Sequence, residues 1–398
     1  MVVEDSSFLE LDISQALKIL KSSELMITSE VEVCHAALRW LSHDIDERSK
    51  FAKDLLQNVR LTLLSDDALV YLKTKMSSIF KLHECTEILN NLLERKNMQS
   101  KTAQMSRYCN QNEFIIFKFG GRRSITSGTS SIIEDIKYLD ARSLSTVKNI
   151  RSTNKGRSLF STACLKGEIY VFGGTNSKDE HIMSVDKYSP RTDAWSKISD
   201  MFDSRYAFCA CSFIDELFVI GGATNSKDAF NSCFKLNTRN NRWKEVAAMN
   251  QERSYFPCAI FKEKVVVSGG RDVDFSGLKT AECYDAFGNT WTRMPDMLSR
   301  KSGHSLIAMH NKLFAVGGNG ENCCEVLDDV CSKFVAVKSP IARGIVEAVA
   351  VGDKFFVFKT YWSPLVYEYD VQNEDWCERS CEAVNNVDYY SCVTLPKF

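Results

Sequence analysis

The sequence predicts a chain in two parts, a small helical domain followed by an all-β array of six repeated units. Apolar residues recur at helical spacing through the first hundred residues, where glycine and proline are both absent as far as residue 119. Further along, glycine pairs recur with three successive spacings of 48 residues, each pair after an apolar strand-like run. The change from helical to strand periodicity falls near Phe114.

Composition limits the classes of partner. The chain has 398 residues, of which 44% are hydrophobic and 25% charged, as in ordinary globular proteins. A net charge of −1 gives no electrostatic reason to expect nucleic acid or an anionic membrane as a partner. The 15 cysteines are an odd number scattered over the chain, which does not indicate a disulfide framework. A reducing compartment is therefore expected, the cytoplasm first, with a nuclear or cytoskeletal location as alternatives.

The first 95 residues are predicted to form short helices. Ile13, Leu17 and Leu20 share one helical face. Ser29 stands three residues before Glu32, a capping-box spacing that predicts the start of a second helix. Further helices are predicted through residues 51–59, after Ser65 and through residues 88–93. Residues 96–112 are polar and are predicted to link this domain to the repeat array, which covers residues 113–398.

The order of residues in the helical part resembles the BACK domain, a helical connector of kelch-like proteins. The match covers about residues 8–95. The residues that carry it are the run 17–25, Ser29 and Glu30, Ala37, Trp40 and Leu41, Arg48, and the segments 55–56 and 59–61.

The repeat is defined by its glycine pairs and by an aromatic spacing. The pairs are Gly120 and Gly121, Gly173 and Gly174, Gly221 and Gly222, Gly269 and Gly270, and Gly317 and Gly318. A sixth strand, 355–358, ends on Lys359 and Thr360 instead. A tyrosine precedes a tryptophan by seven residues at Tyr188 and Trp195, Tyr284 and Trp291, and Tyr369 and Trp376. The third unit has Leu236 before Trp243.

This order of strand, glycine pair, strand, tyrosine and tryptophan resembles the kelch repeat over residues 113–398. The resemblance implies a six-bladed kelch β-propeller of four-stranded blades around a channel. The first unit lacks its leading strand, and residues 389–395 alternate like a strand at the carboxy terminus. We therefore expect that segment to return and close the ring at blade one.

The repeat residues are predicted to be structural. They are Gly173, Gly174, Tyr188, Trp195, Gly221, Gly222, Trp243, Gly269, Gly270, Tyr284, Trp291, Gly317, Gly318, Tyr369 and Trp376. No histidine pairs with a cysteine or another histidine at zinc-binding spacing, and no phosphate loop or nucleophile elbow is present. No catalytic residue, metal or cofactor is therefore expected, and the chain is predicted not to be an enzyme.

A basic residue recurs sixteen positions before the glycine position, at Arg157, Arg205, Arg253, Lys301 and Arg343. In kelch-like proteins the loop that leads into each blade lies at the channel mouth, which implies a ring of cations suited to an acidic peptide. Tyr206 and Tyr255 stand beside two of these arginines as possible apolar anchors. The alternative interpretation is that the cations cap strands or pair with neighbouring acids.

A BACK-like region joined to a kelch propeller resembles the kelch-like family, which implies a protein-interaction adaptor. Such proteins commonly act as substrate receptors of cullin-3 RING ubiquitin ligases, with a BTB domain gripping the cullin. Only about seven residues precede the BACK-like region here, so we expect cullin-3 binding only if a BTB domain is supplied. The alternative is an actin-binding scaffold. The expected partner is a substrate protein or acidic peptide on the propeller face.

Overall fold

The computed structural model describes residues 6–22, 30–59, 114–124, 130–132, 135–151, 156–225, 228–328, 332–359, 365–381 and 390–396. The chain divides into two compact units, Met1–Asn110 and Gln111–Phe398. Within the described residues, no helix combines the length and apolar character needed to cross a membrane.

The described part of the first unit is helical. Two 3-10 helices cover Ser6–Glu10 and Ser49–Phe51, and the α-helices are α1 (Ile13–Lys21), α2 (Glu30–His43), α3 (Ile45–Arg48) and α4 (Ala52–Gln57). Asp12 caps α1 through a reciprocal pair of hydrogen bonds with Gln15. The helices expected after Ser65 and through residues 88–93, and the connector 96–112, lie outside the described residues.

Trp40 and Arg48 hold the start of the chain against α2. The Trp40 indole donates to the Leu11 carbonyl at 2.9 Å, and the Arg48 guanidinium donates to the Leu9 carbonyl at 2.8 Å. The Arg48 guanidinium also lies 4.1 Å from the centre of the Trp40 ring. These are two of the residues on which the resemblance to the BACK domain rests, and their contacts explain why an aromatic and an arginine are required there.

The described residues of the second unit form six four-stranded antiparallel sheets and one small hairpin. In chain order the strands are β1 (Phe114–Phe119), β2 (Arg122–Ser124), β3 (Ser130–Ile132), β4 (Asp135–Asp140), β5 (Thr146–Arg151), β6 (Ser161–Leu165), β7 (Glu168–Phe172), β8 (Val185–Ser189), β9 (Ala194–Lys197), β10 (Cys209–Phe213), β11 (Glu216–Ile220), β12 (Cys233–Asn237), β13 (Arg242–Val246), β14 (Cys258–Phe261), β15 (Lys264–Ser268), β16 (Ala281–Asp285), β17 (Thr290–Met294), β18 (His304–Met309), β19 (Lys312–Gly317), β20 (Cys324–Asp328), β21 (Lys333–Ala336), β22 (Val346–Val351), β23 (Lys354–Lys359), β24 (Leu365–Asp370), β25 (Asp375–Ser380) and β26 (Ser391–Pro396).

Each sheet is one blade, and the six blades form a closed ring. Blades two to six take four consecutive strands each, from β6–β9 to β22–β25. Blade one has the order β26-β1-β4-β5, with Phe117 of β1 opposite Val393 of β26. The carboxy-terminal strand therefore supplies the innermost strand of blade one, which confirms the predicted closure.

Six clusters of buried apolar side chains fill the spaces between neighbouring blades. One lies between each adjacent pair, from Phe117 of blade one with Tyr188 of blade two to Phe358 of blade six with Ile116 of blade one. Burial on both faces explains why the second strand of each blade is almost wholly apolar.

The seven-residue aromatic spacing is the register of a hairpin. Tyr188 lies opposite Trp195, and Tyr284 lies opposite Trp291, with ring centres 5.1 and 5.2 Å apart. The Trp291 indole donates to the Ala247 carbonyl of the preceding blade at 2.8 Å. These contacts place the aromatic rings between neighbouring blades. Of the four repeat tryptophans, Trp291 is buried and the others are half-buried.

The glycine pairs are required by conformation and by close approach. Gly269 and Gly270 both have positive φ, of 57° and 94°. A Cβ on Gly269 would lie 2.6 Å from the Lys301 carbonyl oxygen, and one on Gly270 would lie 2.6 Å from that of Ser254. A side chain does not fit at either position, because the backbone segments that lead into blades four and five pass directly beside the two glycines.

Candidate functional site at the channel mouth

The six innermost strands surround a central channel of about 230 Å³. Its mouth is formed by the leading loops, which we define as residues 156–160, 198–208, 247–257, 295–303 and 337–345, each entering the innermost strand of blades two to six. The residues that face the channel from these loops include Leu159, Ala207, Tyr255, Gly303 and Ile345.

Backbone hydrogen bonds join the leading loops to one another around the mouth. The Ala207 amide donates to the Leu159 carbonyl at 3.0 Å, and the Tyr255 amide donates to the Ala207 carbonyl at 2.8 Å. Gly303 and Val346 continue the series, each donating to the loop before it at 3.0 Å. Leu159, Ala207 and Tyr255 have positive φ between 52° and 55°, so the loops are held in an uncommon conformation by this arrangement.

Four of the five recurring cations are buried rather than exposed at the mouth. Arg157 is 6% exposed, and Arg205, Arg253 and Lys301 are fully buried. This corrects the expectation that they form a ring of charge for an acidic peptide. The structure favours the alternative interpretation for these four, since each is hydrogen-bonded within its blade and ion-paired to an acid.

Arg253 shows the arrangement most completely. Its guanidinium donates to the Gly269 and Thr280 carbonyls and to the Glu282 carboxylate, all at 2.9 Å. Its own carbonyl accepts a 2.8 Å hydrogen bond from the Gly222 amide in the preceding blade. Burial lowers the pKa of Arg253, and the hydrogen bond to Glu282 opposes that effect. One arginine therefore fastens two blades together.

The other buried cations vary this pattern. Arg157 pairs with Asp186, and the Lys301 ammonium lies 3.1 Å from the carboxylate of the fully buried Glu325. In blade three the position of that acid is taken by Phe234, so Arg205 pairs instead with Asp203 of its own loop at 2.6 Å. Its guanidinium also lies 5.0 Å from the centre of the Phe234 ring. Sequence reasoning missed these acids, although an acid two residues before the repeat tyrosine, as at Asp186 and Glu282, is a visible signal.

Arg343 is the exception. Its side chain is exposed, and it has no ion pair within the part of the chain that the structure describes. In blades two to four the carbonyl of the first glycine accepts the arginine guanidinium, and in blade six the glycine pair is replaced by Lys359 and Thr360. The backbone beside Arg343 also departs from the repeat. The Gly318 amide donates to the Gly344 carbonyl at 2.8 Å, whereas the second glycine of each earlier pair donates to the carbonyl of the cation itself.

Tyr206 and Tyr255 lie together at the mouth and belong to a longer row of rings. His181 lies 5.3 Å from Tyr206, Tyr206 lies 6.4 Å from Tyr255, and Tyr255 lies 6.2 Å from Phe275, measured between ring centres. We call these four residues the aromatic arc. It crosses the loops of blades two, three and four, and each member is exposed or half-buried.

Arg271 adds a cation to the aromatic arc. Its guanidinium lies 5.5 Å from the centre of Tyr255 and 5.2 Å from that of Phe275. Among the described residues no carboxylate lies within ion-pair distance of it, and its Nε donates a hydrogen bond to the Ser302 hydroxyl at 3.2 Å. Sequence reasoning missed Arg271, His181 and Phe275. They belong to the loops after the glycine pairs, and no sequence motif singled them out.

The channel itself carries ionisable groups held in their neutral forms. Burial raises the pKa of Glu347, on β22, to about 8. Burial also lowers the pKa of His304 well below its ordinary value, and the positive charges of Lys301 and Arg253 add to that effect. In the described part of the chain, no group of three or more histidine, cysteine or acidic side chains has a geometry that could hold a metal ion.

Comparison with known proteins agrees with this architecture. A family model for the BACK domain (BTB And C-terminal Kelch) matches residues 1–73. A second, the KLHDC2/KLHL20/DRC7 Kelch-repeats domain, matches residues 160–358, which is half of the chain. The chain belongs to the kelch-like family.

Individual relatives cover most of this chain. Rat Kelch-like protein 7 is 30% identical over 396 residues, 95% of this chain and 66% of the relative. Zebrafish Kelch-like protein 26 is 23% identical over 400 residues, 94% of this chain and 65% of the relative. Human Kelch-like protein 31 is 26% identical over 221 residues, 52% of this chain and 33% of the relative. The chain thus spans between about a third and two thirds of the length of the curated relatives it matches. BACK and kelch domains in one kelch-like chain are consistent with a protein-interaction adaptor.

Proposed function

We propose that this chain is the substrate-recognition part of a cullin-3 RING ubiquitin ligase, acting in the cytoplasm. The observation that carries the proposal is the presence of a BACK region and a kelch propeller in one chain of the kelch-like family. The propeller would capture the substrate, and the BACK region would connect it to the domain that holds the cullin. No described feature favours the actin-binding alternative, which becomes an outcome of the test.

We propose the aromatic arc as the surface that receives the substrate. The rings of Tyr206, Tyr255 and Phe275 offer an apolar surface beside the channel, and aromatic side chains are enriched among residues that dominate binding energy. Arg271 lies over two of these rings with no described carboxylate to neutralise it. The surface therefore fits an extended segment with an apolar side chain next to an aspartate or glutamate.

This surface replaces the ring of buried cations as the acidic-peptide site. The charges of Arg157, Arg253 and Lys301 are balanced inside the blades by Asp186, Glu282 and Glu325. Only cations that remain accessible can meet a partner carboxylate without breaking a buried pair. Arg271 and the exposed Arg343 meet that condition.

The test compares affinity purification of three forms of the chain, each joined to a BTB domain. The forms are wild type, the double variant Tyr206→Ser/Tyr255→Ser, and the control Phe287→Ser. Phe287 is half-buried like Tyr255 but lies in the turn between β16 and β17, at the end of the blade away from the glycine pair. A substrate of this ligase is captured by wild type and the control, is lost from the double variant, and accumulates in cells when cullin modification is blocked.

Two outcomes contradict the proposal. Partners that are retained by the double variant place the recognition surface elsewhere on the chain. Cosedimentation of the chain with actin filaments, abolished in the double variant, assigns the same surface to a cytoskeletal scaffold.

A further inference from the structure

Three cysteine thiols meet at the boundary between blades three and four. Cys209 and Cys211 are on β10, and Cys258 is the first residue of β14. The thiols of Cys209 and Cys211 are both hydrogen-bonded to that of Cys258. All three cysteines are free. The repeat does not require a thiol at Cys258, because the residues that pair at the same position before the glycines in blades two, three and five are Thr162, Ala210 and Leu306.

The strand geometry directs these thiols to one place. Residues two apart on a strand lie on the same face, so Cys209 and Cys211 both face blade four. Cys258 lies on the innermost strand of that blade, and all three belong to the apolar cluster between the two blades. Cys209 and Cys258 also line the central channel, and Cys258 is half-buried. The channel therefore gives a small solute a route to the edge of this cluster.

The three thiols differ in acidity in a way that suits nucleophilic chemistry. Hydrogen bonds from the Cys209 and Cys211 thiols lower the pKa of Cys258 to about 5, against the effect of burial. Burial and the hydrogen bond to Cys258 raise the pKa of Cys209 well above its ordinary value. Cys164, on β6, lacks such neighbours, and burial raises its pKa to about 12. Cys258 thus has the lowest pKa of the group, with its two neighbours as hydrogen-bond donors, and it is the thiol most readily deprotonated.

We propose that Cys258 and a thiol of β10 form an oxidisable site, which a peroxide converts into a disulfide between blades three and four. The Cys258 thiolate attacks one peroxide oxygen, the O–O bond breaks, and the departing oxygen takes up a proton as water or an alcohol. This step leaves a sulfenic acid on Cys258. The thiol of Cys209 or Cys211 then attacks that sulfur, forms the S–S bond and releases the sulfenic oxygen as water. Two electrons pass from the two thiols to one peroxide molecule.

The bridge would lie just inside the channel mouth. Ala207 precedes Cys209 by two residues, Tyr255 precedes Cys258 by three, and these two residues already share the backbone hydrogen bond between the leading loops. Oxidation would therefore add a covalent link beneath the loops that carry Tyr206 and Tyr255. The proposal concerns the thiols alone and does not depend on the proposed ligase role.

Tryptic digestion gives a direct readout. The folded chain is treated with hydrogen peroxide, its remaining thiols are blocked with N-ethylmaleimide, and it is digested without reduction. Cys209 and Cys211 fall together in peptide 206–227, and Cys258 falls in peptide 254–262. The expected product is these two peptides joined, with one N-ethylmaleimide group on the third thiol. Its mass should be about two units below the sum of the two peptides and that group, because two hydrogens are lost. Dithiothreitol should separate them.

Matched serine variants give the controls. Cys258→Ser and the double variant Cys209→Ser/Cys211→Ser should abolish the joined peptide, whereas Cys164→Ser should leave it unchanged. Thermal melting of each variant before oxidation verifies that the fold is retained. The proposal is overturned if Cys258 stays reduced, and is therefore fully labelled by N-ethylmaleimide, at peroxide doses that oxidise other cysteines. It is equally overturned if Cys258 proceeds to sulfinic acid with both β10 thiols still free.

Discussion

Blade four and blade six carry an arginine at the same repeat position, and the two side chains have opposite environments. Arg253 of blade four is fully buried, with hydrogen bonds to the Gly269 carbonyl and the Glu282 carboxylate. Arg343 of blade six is exposed. The difference lies in the residues around the side chain, since blade six has Lys359 and Thr360 in place of the glycine pair and Tyr367 at the position of the acid. The position of a residue within the repeat therefore predicts its place in the blade. Whether its side chain is buried depends on the residues around it.

The largest expected effect concerns blade one, which is completed by a strand from the far end of the chain. Deleting the last ten residues removes β26 and leaves the β1 edge unpaired. We expect a loss of roughly 5 kcal/mol or more in the free energy of unfolding, comparable to the net stability of a typical domain. Urea denaturation followed by tryptophan fluorescence measures it, with removal of only the last two residues as the control. An unchanged transition midpoint would show that blade one does not need β26.

The next effect separates buried from exposed cations. Arg253→Met leaves the Glu282 carboxylate buried without its partner, and breaking such a pair costs about 3–5 kcal/mol. The combined variant Arg253→Met/Glu282→Leu should recover much of that loss, because no uncompensated charge remains. Chemical denaturation of the two variants provides the comparison. A loss below about 1 kcal/mol for the single variant would mean that the pair contributes little to the fold.

Much of the fold could be predicted because its signals are local and periodic. The glycine pairs, the seven-residue aromatic spacing and the unpaired strand at the carboxy terminus each correspond to a contact in the structure, as with Tyr284 opposite Trp291 and Phe117 opposite Val393. The burial of the cations depends on residues at changing offsets. Glu282 is 29 positions after Arg253, Glu325 is 24 after Lys301, and Asp203 is two before Arg205. Asp186, Glu282 and Glu325 nevertheless share the position two before the repeat tyrosine or leucine, so the repeat could have revealed these three, whereas Asp203 has no such position.

The candidate site was predicted only in part, for a related reason. Tyr206 and Tyr255 lie beside arginines of the repeat in the sequence, so the repeat predicted that they lie at the channel mouth. His181, Phe275 and Arg271 lie in loops that follow the glycine pairs. His181 contacts Tyr206 of the next blade, whereas Phe275 and Arg271 contact Tyr255, which leads into their own blade. These contacts join residues 16 to 25 positions apart in the sequence, so they become visible only once the blades are folded and assembled.

A smaller effect is expected from Glu347, which lines the channel, and it should appear as a change of stability with pH. The pKa of Glu347 is about 8 in the folded chain and 4.5 ordinarily, so the folded state binds the extra proton between these values. The resulting stabilisation is complete below the unfolded pKa and is lost as pH rises through about 8. The full shift corresponds to about 4 kcal/mol between pH 5 and pH 9. Because Glu347 is half-buried and partly screened by solvent, we expect the wild-type chain to lose about 1–2 kcal/mol over that range relative to Glu347→Gln, which cannot ionise. Thermal melts across that range provide the data, and parallel curves for the two proteins would refute the assignment.

The smallest effect on stability is expected at Arg343, where the comparison began. Arg343→Ala removes an exposed side chain that has no ion pair among the described residues, so the free energy of unfolding should change by no more than about 0.5 kcal/mol. If the partner segment carries carboxylates, its affinity should fall by up to about fivefold, or about 1 kcal/mol, with a larger loss at low salt. Arg191→Ala is the control, because Arg191 is exposed in the turn between β8 and β9 at the opposite end of its blade. Titration of each variant with a partner captured through the aromatic arc separates the possibilities. A destabilised Arg343→Ala chain would place Arg343 with the buried cations, and an equal loss of affinity in both variants would remove Arg343 from the binding surface.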